Sequence, residues 1–507
     1  MPALPSGRTS KSAIAATLGA ITALGYAPFS LYPLPLLTFA GLFVLWQQAS
    51  GPRNAAWFGF IFGLGWFIAG VSWVYISLHV FGAMPMPLAA AVTLLFCAYL
   101  ALFPAAAGYI SRRWHLPPAL KWIVFVPATL TLLEWLRGWL FTGFPWLNPG
   151  YTQAPASPLA GYAPVLGVHG ITLLLFVTAG FFCWLITLRP RPLLRALWPW
   201  PVALVIVWSA GAVLKTIAWT EPTGTRINVS LLQGNIEQDL KWREDHLRLT
   251  LETYLQLVRD STGQLIILPE TALPMFLRDV PPDYLEALAA HARHNHGDVL
   301  IGVPERLPNG DYYNSLVSVG SAPSQTYRKT HLVPFGEFIP LRPLLGTLVS
   351  RLAIPLQDFA RGAADQQPLA VAGEQVAINI CYEDAFGDEI IRQLPQASLL
   401  VNVSNVAWFG RSIAPQQHLQ IAQMRALETG RYMLRATNTG MTAVISPQGV
   451  IENAAPEYTR TVLTHKVAGM RGATPYVRWG NTLILALCAC IIGLAAVVRR
   501  RAENHRT

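Results

Sequence analysis

The first 220 residues are assembled from apolar blocks, each about as long as a helix that crosses a lipid bilayer. Such a crossing takes about 20 mostly apolar residues, and the segment is helical because every backbone N–H and C=O must find its partner within it. Seven blocks meet this requirement, over residues 12–29, 32–48, 55–78, 87–110, 121–141, 164–187 and 197–217, and an eighth runs from Asn481 to Val498. From Glu221 to Arg478 charges occur throughout and no uncharged stretch reaches spanning length. Composition agrees, with 53% hydrophobic and 13% charged residues against roughly 25% charged in ordinary soluble proteins, so a wholly soluble globular protein is excluded. The expected fold class is a polytopic α-helical membrane protein of about eight spans with an inserted α/β domain. The expected domains are a seven-helix transmembrane bundle (1–217), an extramembrane domain (218–479), and an eighth transmembrane helix with its tail (480–507).

Short membrane loops rich in Lys and Arg stay in the cytoplasm. Arg8 and Lys11 precede the first block, Arg53 follows the second, Arg112, Arg113 and Lys121 follow the fourth, Arg189, Arg191 and Arg195 follow the sixth, and Arg499, Arg500, Arg501 and Arg506 follow the eighth. The alternate loops, including Thr142 to Ala163, have no Lys or Arg. This pattern predicts cytoplasmic termini and a 218–479 domain on the opposite side. A cleaved signal peptide is the competing reading of the first block, and seven further spans weigh against it.

The net charge of +10 invites a nucleic-acid or anionic-surface reading until it is divided by location. The predicted cytoplasmic segments hold 13 basic residues and one acid, whereas residues 218–479 hold 22 basic and 25 acidic residues. The excess is therefore a topology signal, and no nucleic-acid partner is expected. Five Cys without ligand spacing and 11 scattered His predict neither a disulfide scaffold nor a metal site, and no phosphate-binding glycine loop follows a strand. No cofactor is expected.

Within 218–479, β-rich runs alternate with helical stretches, the pattern of an α/β layer fold. Strands are predicted over Ile227–Leu232, Gln264–Leu268, Val299–Val303, Ser315–Val319, Gln375–Ile380, Leu399–Val403, Tyr432–Ala436 and Thr442–Ser446, and helices over Trp242–Arg259, Tyr284–His294 and Gln417–Thr429. Polar residues just beyond strand carboxyl ends commonly build the site in such folds. Leu-Ile-Ile-Leu-Pro-Glu ends on Glu270, Val-Ala-Ile-Asn-Ile-Cys-Tyr-Glu-Asp reaches Cys381 followed by Tyr382 and Glu383, and Tyr-Arg-Lys-Thr-His-Leu-Val-Pro-Phe-Gly-Glu carries Lys329 and Glu337. A thiol, a carboxylate and an ammonium fit nucleophilic acyl transfer, with the carboxylate accepting the thiol proton and the ammonium stabilising the developing oxyanion. The plain alternatives are a buried structural Cys and a surface Glu–Lys pair. Cys381 is the only Cys of 218–479 and lies on the predicted non-cytosolic side, so an unpaired thiol there wants a reason.

Glu270, Lys329 and Cys381 in these segments resemble the Glu-Lys-Cys triad of the nitrilase (carbon–nitrogen hydrolase) superfamily. Seven spans, a nitrilase-like domain and one closing span narrow the resemblance, over essentially the full length, to the apolipoprotein N-acyltransferase family of the Gram-negative inner membrane. Gln-Gly-Asn-Ile (233–236) with Trp242, Tyr-Asn-Ser (313–315), Asn-Val-Ser-Asn-Val-Ala-Trp-Phe-Gly (402–410) and Arg-Ala-Thr-Asn-Thr-Gly (435–440) also look like that family. Leu268 stands where some relatives have Trp. The resemblance implies an αββα sandwich outside the cytosol with Cys381 as nucleophile, Glu270 as general base and Lys329 as oxyanion stabiliser. It further implies Glu337, Glu383, Tyr382 and Asn314 as supporting residues. The reaction it implies moves a fatty acyl chain from a phospholipid donor, through a cysteine thioester, to the α-amine of a diacylated apolipoprotein.

Trp242, Trp408, Phe144 and Trp146 are candidates for lining an acyl pocket, the last two within the 142–163 loop, and Leu341–Phe359 is a second candidate apolar cover. Ordinary packing is the alternative for each. Two other functions fit part of the pattern: a membrane-anchored carbon–nitrogen amidase, for which seven preceding spans are excessive, and a receptor or transporter. Transport predicts ionisable groups through the bundle, yet the clear mid-span pair is Glu134 and Arg137, spaced i and i+3 to neutralise each other.

Overall fold

A computed structural model describes residues 7–187, 198–339 and 358–504. They form two compact units, one of residues 7–74, 87–187, 198–217 and 479–504 and one of residues 75–86, 218–339 and 358–478.

The first unit is all helical: α1 (Arg8–Thr22), α2 (Pro33–Gln47), α3 (Pro52–Val71), α4 (Met86–Arg113), α5 (Val126–Arg137), α6 (Ala163–Thr187), α7 (Pro199–Leu214) and α8 (Thr482–Asn504). Proline at the first or second position starts α2, α3, α5 and α7, where its missing N–H costs no helix bond. By length and composition, Pro52–Val71, Met86–Arg113, Pro158–Thr187 and Thr482–Arg501 are apolar and long enough to cross a membrane. Helices α1 and α3 approach through glycine: a Cβ on Gly19 would stand 2.0 Å from the carbonyl oxygen of Phe62, and one on Gly65 2.2 Å from that of Ala16. Small residues allow such backbone contact where lipid supplies no hydrophobic drive between helices.

The block read over 55–78 is present as the spanning-length helix α3, and the structure corrects its carboxyl end. Helix α3 stops at Val71, and residues 75–86 belong to the second unit. Gly82, Pro85 and Pro87 disfavour a continuous helix, and the Ser77 hydroxyl donates to the carbonyl of Trp408 at 2.8 Å. Glu134 and Arg137 form a buried ion pair at 2.5 Å. Arg137 also donates to the carbonyls of Phe144 and of Trp146, the latter at 2.8 Å, so the pair ties the 142–163 loop to α5. Phe144 stacks on Trp146, and Trp146 is buried against Trp73.

The second unit contains two six-stranded sheets. In chain order its strands are β1 (Glu221–Gln233), β2 (Leu265–Ile267), β3 (Asp298–Arg306), β4 (Tyr312–Gly320), β5 (Thr326–Arg328), β6 (Leu369–Val371), β7 (Glu374–Ile380), β8 (Leu399–Ser404), β9 (Met433–Thr437), β10 (Ala443–Ile445), β11 (Ile451–Ala454) and β12 (Thr461–Arg471). The sheet orders are β12-β1-β2-β3-β4-β5 and β11-β10-β9-β8-β7-β6. Strands β1, β2 and β3 run parallel, as do β7, β8 and β9, and the flanking strands are antiparallel.

Period-two alternation sets the layers. Leu265 and Ile267 of β2, with Val376, Ile378 and Ile380 of β7 and Val401 of β8, share one core between the sheets. Ile266 faces the other way, onto Leu257 and Leu288 of the helices Glu244–Arg259 and Pro282–His294. Leu400 and Ala377 face Leu419, Ala422 and Ala426 of the helix Ala414–Thr429. The result is a four-layer αββα sandwich. The helix Glu244–Arg259 forms because Thr250, Thr253, Tyr254, Leu257 and Val258 make one inward stripe, while Glu244 and Asp245 at its start and Arg259 at its end suit the helix dipole. Strands β5, β6, β11 and β12 escape a reading by alternation. Two have three residues, β11 is mostly exposed, and β12 alternates irregularly.

Candidate active site

Three strand ends deliver the candidate site groups. Glu270 lies three residues past β2, Lys329 immediately past β5 and Cys381 immediately past β7. The exit from β2 crosses β3 at Gly302, where a Cβ would stand 2.2 Å from the carbonyl oxygen of Pro269 and 2.9 Å from the Glu270 Cα. Glycine lets Glu270 sit this close to the sheet.

The Glu270 carboxylate is buried and accepts three bonds on its two oxygens: Oε1 from Asn314 Nδ2 at 2.8 Å and Lys329 Nζ at 3.3 Å, Oε2 from the Asn405 backbone N–H at 2.9 Å. Lys329 Nζ also donates to Glu337 Oε1 at 2.9 Å, as does Asn314 Nδ2 at 2.9 Å. Glu337 is itself held, its Oε2 accepting the Val333 N–H at 2.9 Å. One buried ammonium and one amide are thus shared between two carboxylates.

Burial works to raise the Glu270 carboxyl, but the Lys329 ammonium, the Asn314 and Asn405 hydrogen bonds and Lys241 outweigh it and hold the group below its ordinary range. Burial likewise opposes the Lys329 charge, and Glu337 and Glu270 more than offset it, so that ammonium is held above the usual lysine range. The Cys381 thiol is pushed up, first by burial and then by the Glu270 carboxylate, with Lys329 opposing. At neutral pH the resting site therefore holds an ionised base, a charged lysine and a neutral thiol.

Cys381 has φ +54°, in the left-handed region that costs a residue with a Cβ roughly 1–3 kcal/mol. It opens a tight turn, Cys381–Ala385. Glu383 stabilises that turn from within: Oε1 accepts the N–H groups of Thr330 and His331 and the Thr330 hydroxyl, and Oε2 accepts the Ile380 N–H at 2.7 Å and the Tyr327 hydroxyl at 3.1 Å. It joins the residue before Cys381 to the residues after Lys329. Burial raises its carboxyl, with those N–H donors and Lys329 opposing. Tyr382 is buried and meets the rings of His331 and Phe386.

The structure therefore joins Glu270, Lys329, Glu337 and Asn314 in one hydrogen-bonded cluster, and the charges of Glu270, Lys329 and Glu337 act on the Cys381 thiol. Trp408 lies in the turn Val406–Phe409, its ring edge-on to Phe81 at 5.9 Å, and Trp242 is half-buried after the β1 loop. Phe144 and Trp146 belong to the first unit. Of the candidate cover Leu341–Phe359, residues 341–357 lie outside the described residues.

Several polar residues escaped the sequence reading. Lys241 is buried and donates to the Glu270 carbonyl at 3.4 Å, and burial lowers it to about 8. Asn405 Nδ2 binds Gln238 at 2.7 Å, and Asn438 links Asn405 Oδ1 to the Ile236 carbonyl. A signal existed: Asn402, Asn405 and Arg435 interrupt otherwise apolar strand or strand-end runs, where a buried polar group must have partners.

Two sheets sandwiched by helices, with Glu, Lys and Cys at strand ends, define a carbon–nitrogen hydrolase fold, and the sequence pattern of the carbon–nitrogen hydrolase family matches residues 228–476. Residues 18–181 match the apolipoprotein N-acyltransferase N-terminal domain. The chain is 53% identical over 489 residues to an apolipoprotein N-acyltransferase of Nitrosomonas europaea, covering 96% of this chain and 97% of the relative. It is 44% identical over 493 residues to that of Chromobacterium violaceum (97% and 94%) and 46% identical over 501 residues to that of Methylococcus capsulatus (97% and 97%). The chain belongs to the apolipoprotein N-acyltransferase family and is a bacterial membrane acyltransferase.

Proposed function

We propose that the protein transfers a fatty acyl chain from a membrane phospholipid to the α-amine of the diacylglyceryl-cysteine at a lipoprotein N-terminus, with Cys381 as nucleophile. The observation that carries this reading is the buried Lys329 ammonium bonded to both Glu270 and Glu337, with Lys329 and Cys381 each immediately past a strand end.

In the first half-reaction Glu270 accepts the Cys381 proton as Sγ attacks the ester carbonyl, and Lys329 stabilises the oxyanion. Collapse breaks the C–O bond, the Glu270 proton passes to the leaving oxygen, and lysophospholipid departs. In the second, the lipoprotein amine attacks the thioester, a C–N bond forms as C–S breaks, and the amine proton returns to sulfur through Glu270. Asn314 and Glu337 hold Lys329 and Glu270 in register, and Glu383 holds the two loops that carry Cys381 and Lys329.

Glu270→Gln is expected to slow thioester formation by roughly 10²–10⁴-fold, the range for loss of a general base. The added Nε2 also meets the Asn405 N–H, donor against donor. Because Glu270 is held below the usual carboxylate value, the wild-type rate loses its base only as pH falls below about 4.3. Intact-mass kinetics of the acyl adduct with phospholipid vesicles check both. A rate for Glu270→Gln equal to wild type, or an acid limb near pH 6, would count against this assignment.

Long acyl chains cost about 0.8 kcal/mol per CH₂ exposed to water, so both substrates favour a site at the bilayer. We assign eight spans, with 1–217 apart from 75–86 as a transmembrane bundle, 218–479 as a periplasmic catalytic domain and 480–507 as the last span and tail, and with both termini cytoplasmic. Support comes from the Lys/Arg distribution among the loops. Membrane-impermeant labelling of intact cells is expected to reach a Cys placed at Asn309 and not one placed at Arg191; the reverse pattern would invert the topology.

A further inference from the structure

Beneath Cys381 lies a polar cluster that the acyl-transfer steps do not use. Asp384, His418, Asn402 and Arg435 are each 0 or 1% exposed. Four such groups are costly to bury among hydrophobic strands unless they are paired with one another. They are paired. His418 Nε2 lies 2.7 Å from Asp384 Oδ1, Arg435 Nη1 donates to Asp384 Oδ2 at 3.0 Å and to Asn402 Oδ1 at 2.6 Å, and Asn402 Nδ2 donates to Asn379 Oδ1 at 2.5 Å.

The cluster converges on one atom. The carbonyl oxygen of Cys381 accepts from Asn402 Nδ2 at 3.1 Å and lies 3.2 Å from His418 Nε2. Asn402 comes from the middle of β8 and His418 from the helix Ala414–Thr429, so two different layers grip the same peptide group. Asp384, bonded to that ring nitrogen, favours the proton on Nε2, which makes His418 a donor to the carbonyl.

This grip coincides with the left-handed φ of +54° at Cys381. The preceding Ile380 is extended, at φ −109° and ψ 114°, so the chain reverses hand at the nucleophile itself. Ordinary sterics favour a return to right-handed or extended backbone at a residue with a Cβ. Such a return would rotate the Cys381 carbonyl and its side chain together. A conformation of this kind persists only where surrounding structure holds it.

We propose that His418 and Asn402 are positioning residues that hold the Cys381 carbonyl and so keep the thiol in its reactive place, with Arg435 and Asp384 fixing the two donors. The inference rests on the reading of Cys381 as nucleophile. His418 and Asn402 touch no reacting atom; they act through the backbone of Cys381.

The test uses the full-length protein in lipid nanodiscs with His418→Leu, His418→Gln and Asn402→Leu. Acylation of Cys381 is followed by intact mass at increasing phospholipid fraction, with circular dichroism as the measure of folded protein. His418→Leu and Asn402→Leu are expected to lower the saturating rate about 10–100-fold, the loss that follows a displacement of about 1 Å at a reacting atom. The phospholipid fraction at half-saturation should not change. His418→Gln, whose amide nitrogen reaches the Nε2 position, should recover most of the rate.

Labelling of Cys381 by a small neutral maleimide should slow in the same order across the variants. Folded Asn402→Leu with the wild-type saturating rate would overturn the proposal, as would a His418→Gln variant no better than His418→Leu. A change confined to half-saturation would overturn it as well. If the wild-type protein formed no thioester at Cys381, the nucleophile reading would fail, and the order of maleimide rates would still decide whether the carbonyl grip exists.

Discussion

Cys381→Ala is expected to abolish transfer, with a fall of at least roughly 10⁴-fold and no acyl adduct in the intact mass. Removing a covalent nucleophile removes the pathway, and what remains is binding and oxyanion stabilisation without an intermediate. Cys381→Ser sharpens the point. A hydroxyl is a far weaker nucleophile than a thiol, and the surroundings that already raise the thiol, burial and the Glu270 carboxylate, disfavour an alkoxide still more. Any ester formed on serine would be a poorer acyl donor to an amine than a thioester. The measurement is the yield of adduct with phospholipid alone, followed by its loss on adding a lipopeptide amine. A Cys381→Ala protein that still carried a labile acyl group would place the nucleophile elsewhere.

Lys329→Met carries the second large effect, on both rate and stability. Lys329 is about 1% exposed and neutralises Glu270 and Glu337 together. Its removal leaves the buried Glu270 and the partly buried Glu337 carboxylates sharing one amide, that of Asn314. Breaking a buried ion pair from one side costs about 3–5 kcal/mol, and like charges in one site force one carboxyl to take up a proton. Both half-reactions are expected to slow by roughly 10²–10³-fold, the range for loss of one oxyanion donor. Because a protonated Glu270 cannot act as base, the acid limb of thioester formation should move toward neutral pH. Rates for the two half-reactions, measured separately across pH, check this. An unchanged amine-transfer step would remove Lys329 from the second oxyanion.

The wild-type site also has a sign that can be worked through for stability. Glu270 is lowered in the folded state, so its stabilising contribution is present above the ordinary carboxylate value and is lost as pH falls through its lowered one. Glu383 is raised, so it works in the opposite direction over the carboxylate range. The two carboxyls, 113 positions apart in the chain, titrate apart because Glu270 meets a lysine in direct contact and Glu383 meets mainly neutral N–H groups.

Much of the architecture was readable because it rests on local repetition. Short apolar runs at Leu265–Ile267 and Val376–Ile380 announce buried strands, and a stripe at 250, 253, 254, 257 and 258 announces a helix. The candidate site residues stood out for a related reason: Glu270, Lys329 and Cys381 each break an apolar or β-rich run at its end. The span read over 55–78 is present as Pro52–Val71, and its carboxyl end was misplaced because hydropathy does not register where a chain leaves one packed body for another. Composition continues smoothly past Val71, whereas packing changes at Tyr75.

Spacing along the chain therefore marked the apolar blocks and the alternation of strands and helices, and it singled out a thiol, a carboxylate and an ammonium at run ends as candidates, since each depends on neighbours within one element. The fold decided what those groups are chemically. Glu270 meets Asn314 across 44 positions, Lys329 across 59 and the Asn405 N–H across 135, and Cys381 meets its two carbonyl partners across 21 and 37. No short-range pattern encodes such distances. Burial opposes the charges of Glu270 and Lys329, and they persist because the assembled sheets bring each a partner whose field burial strengthens.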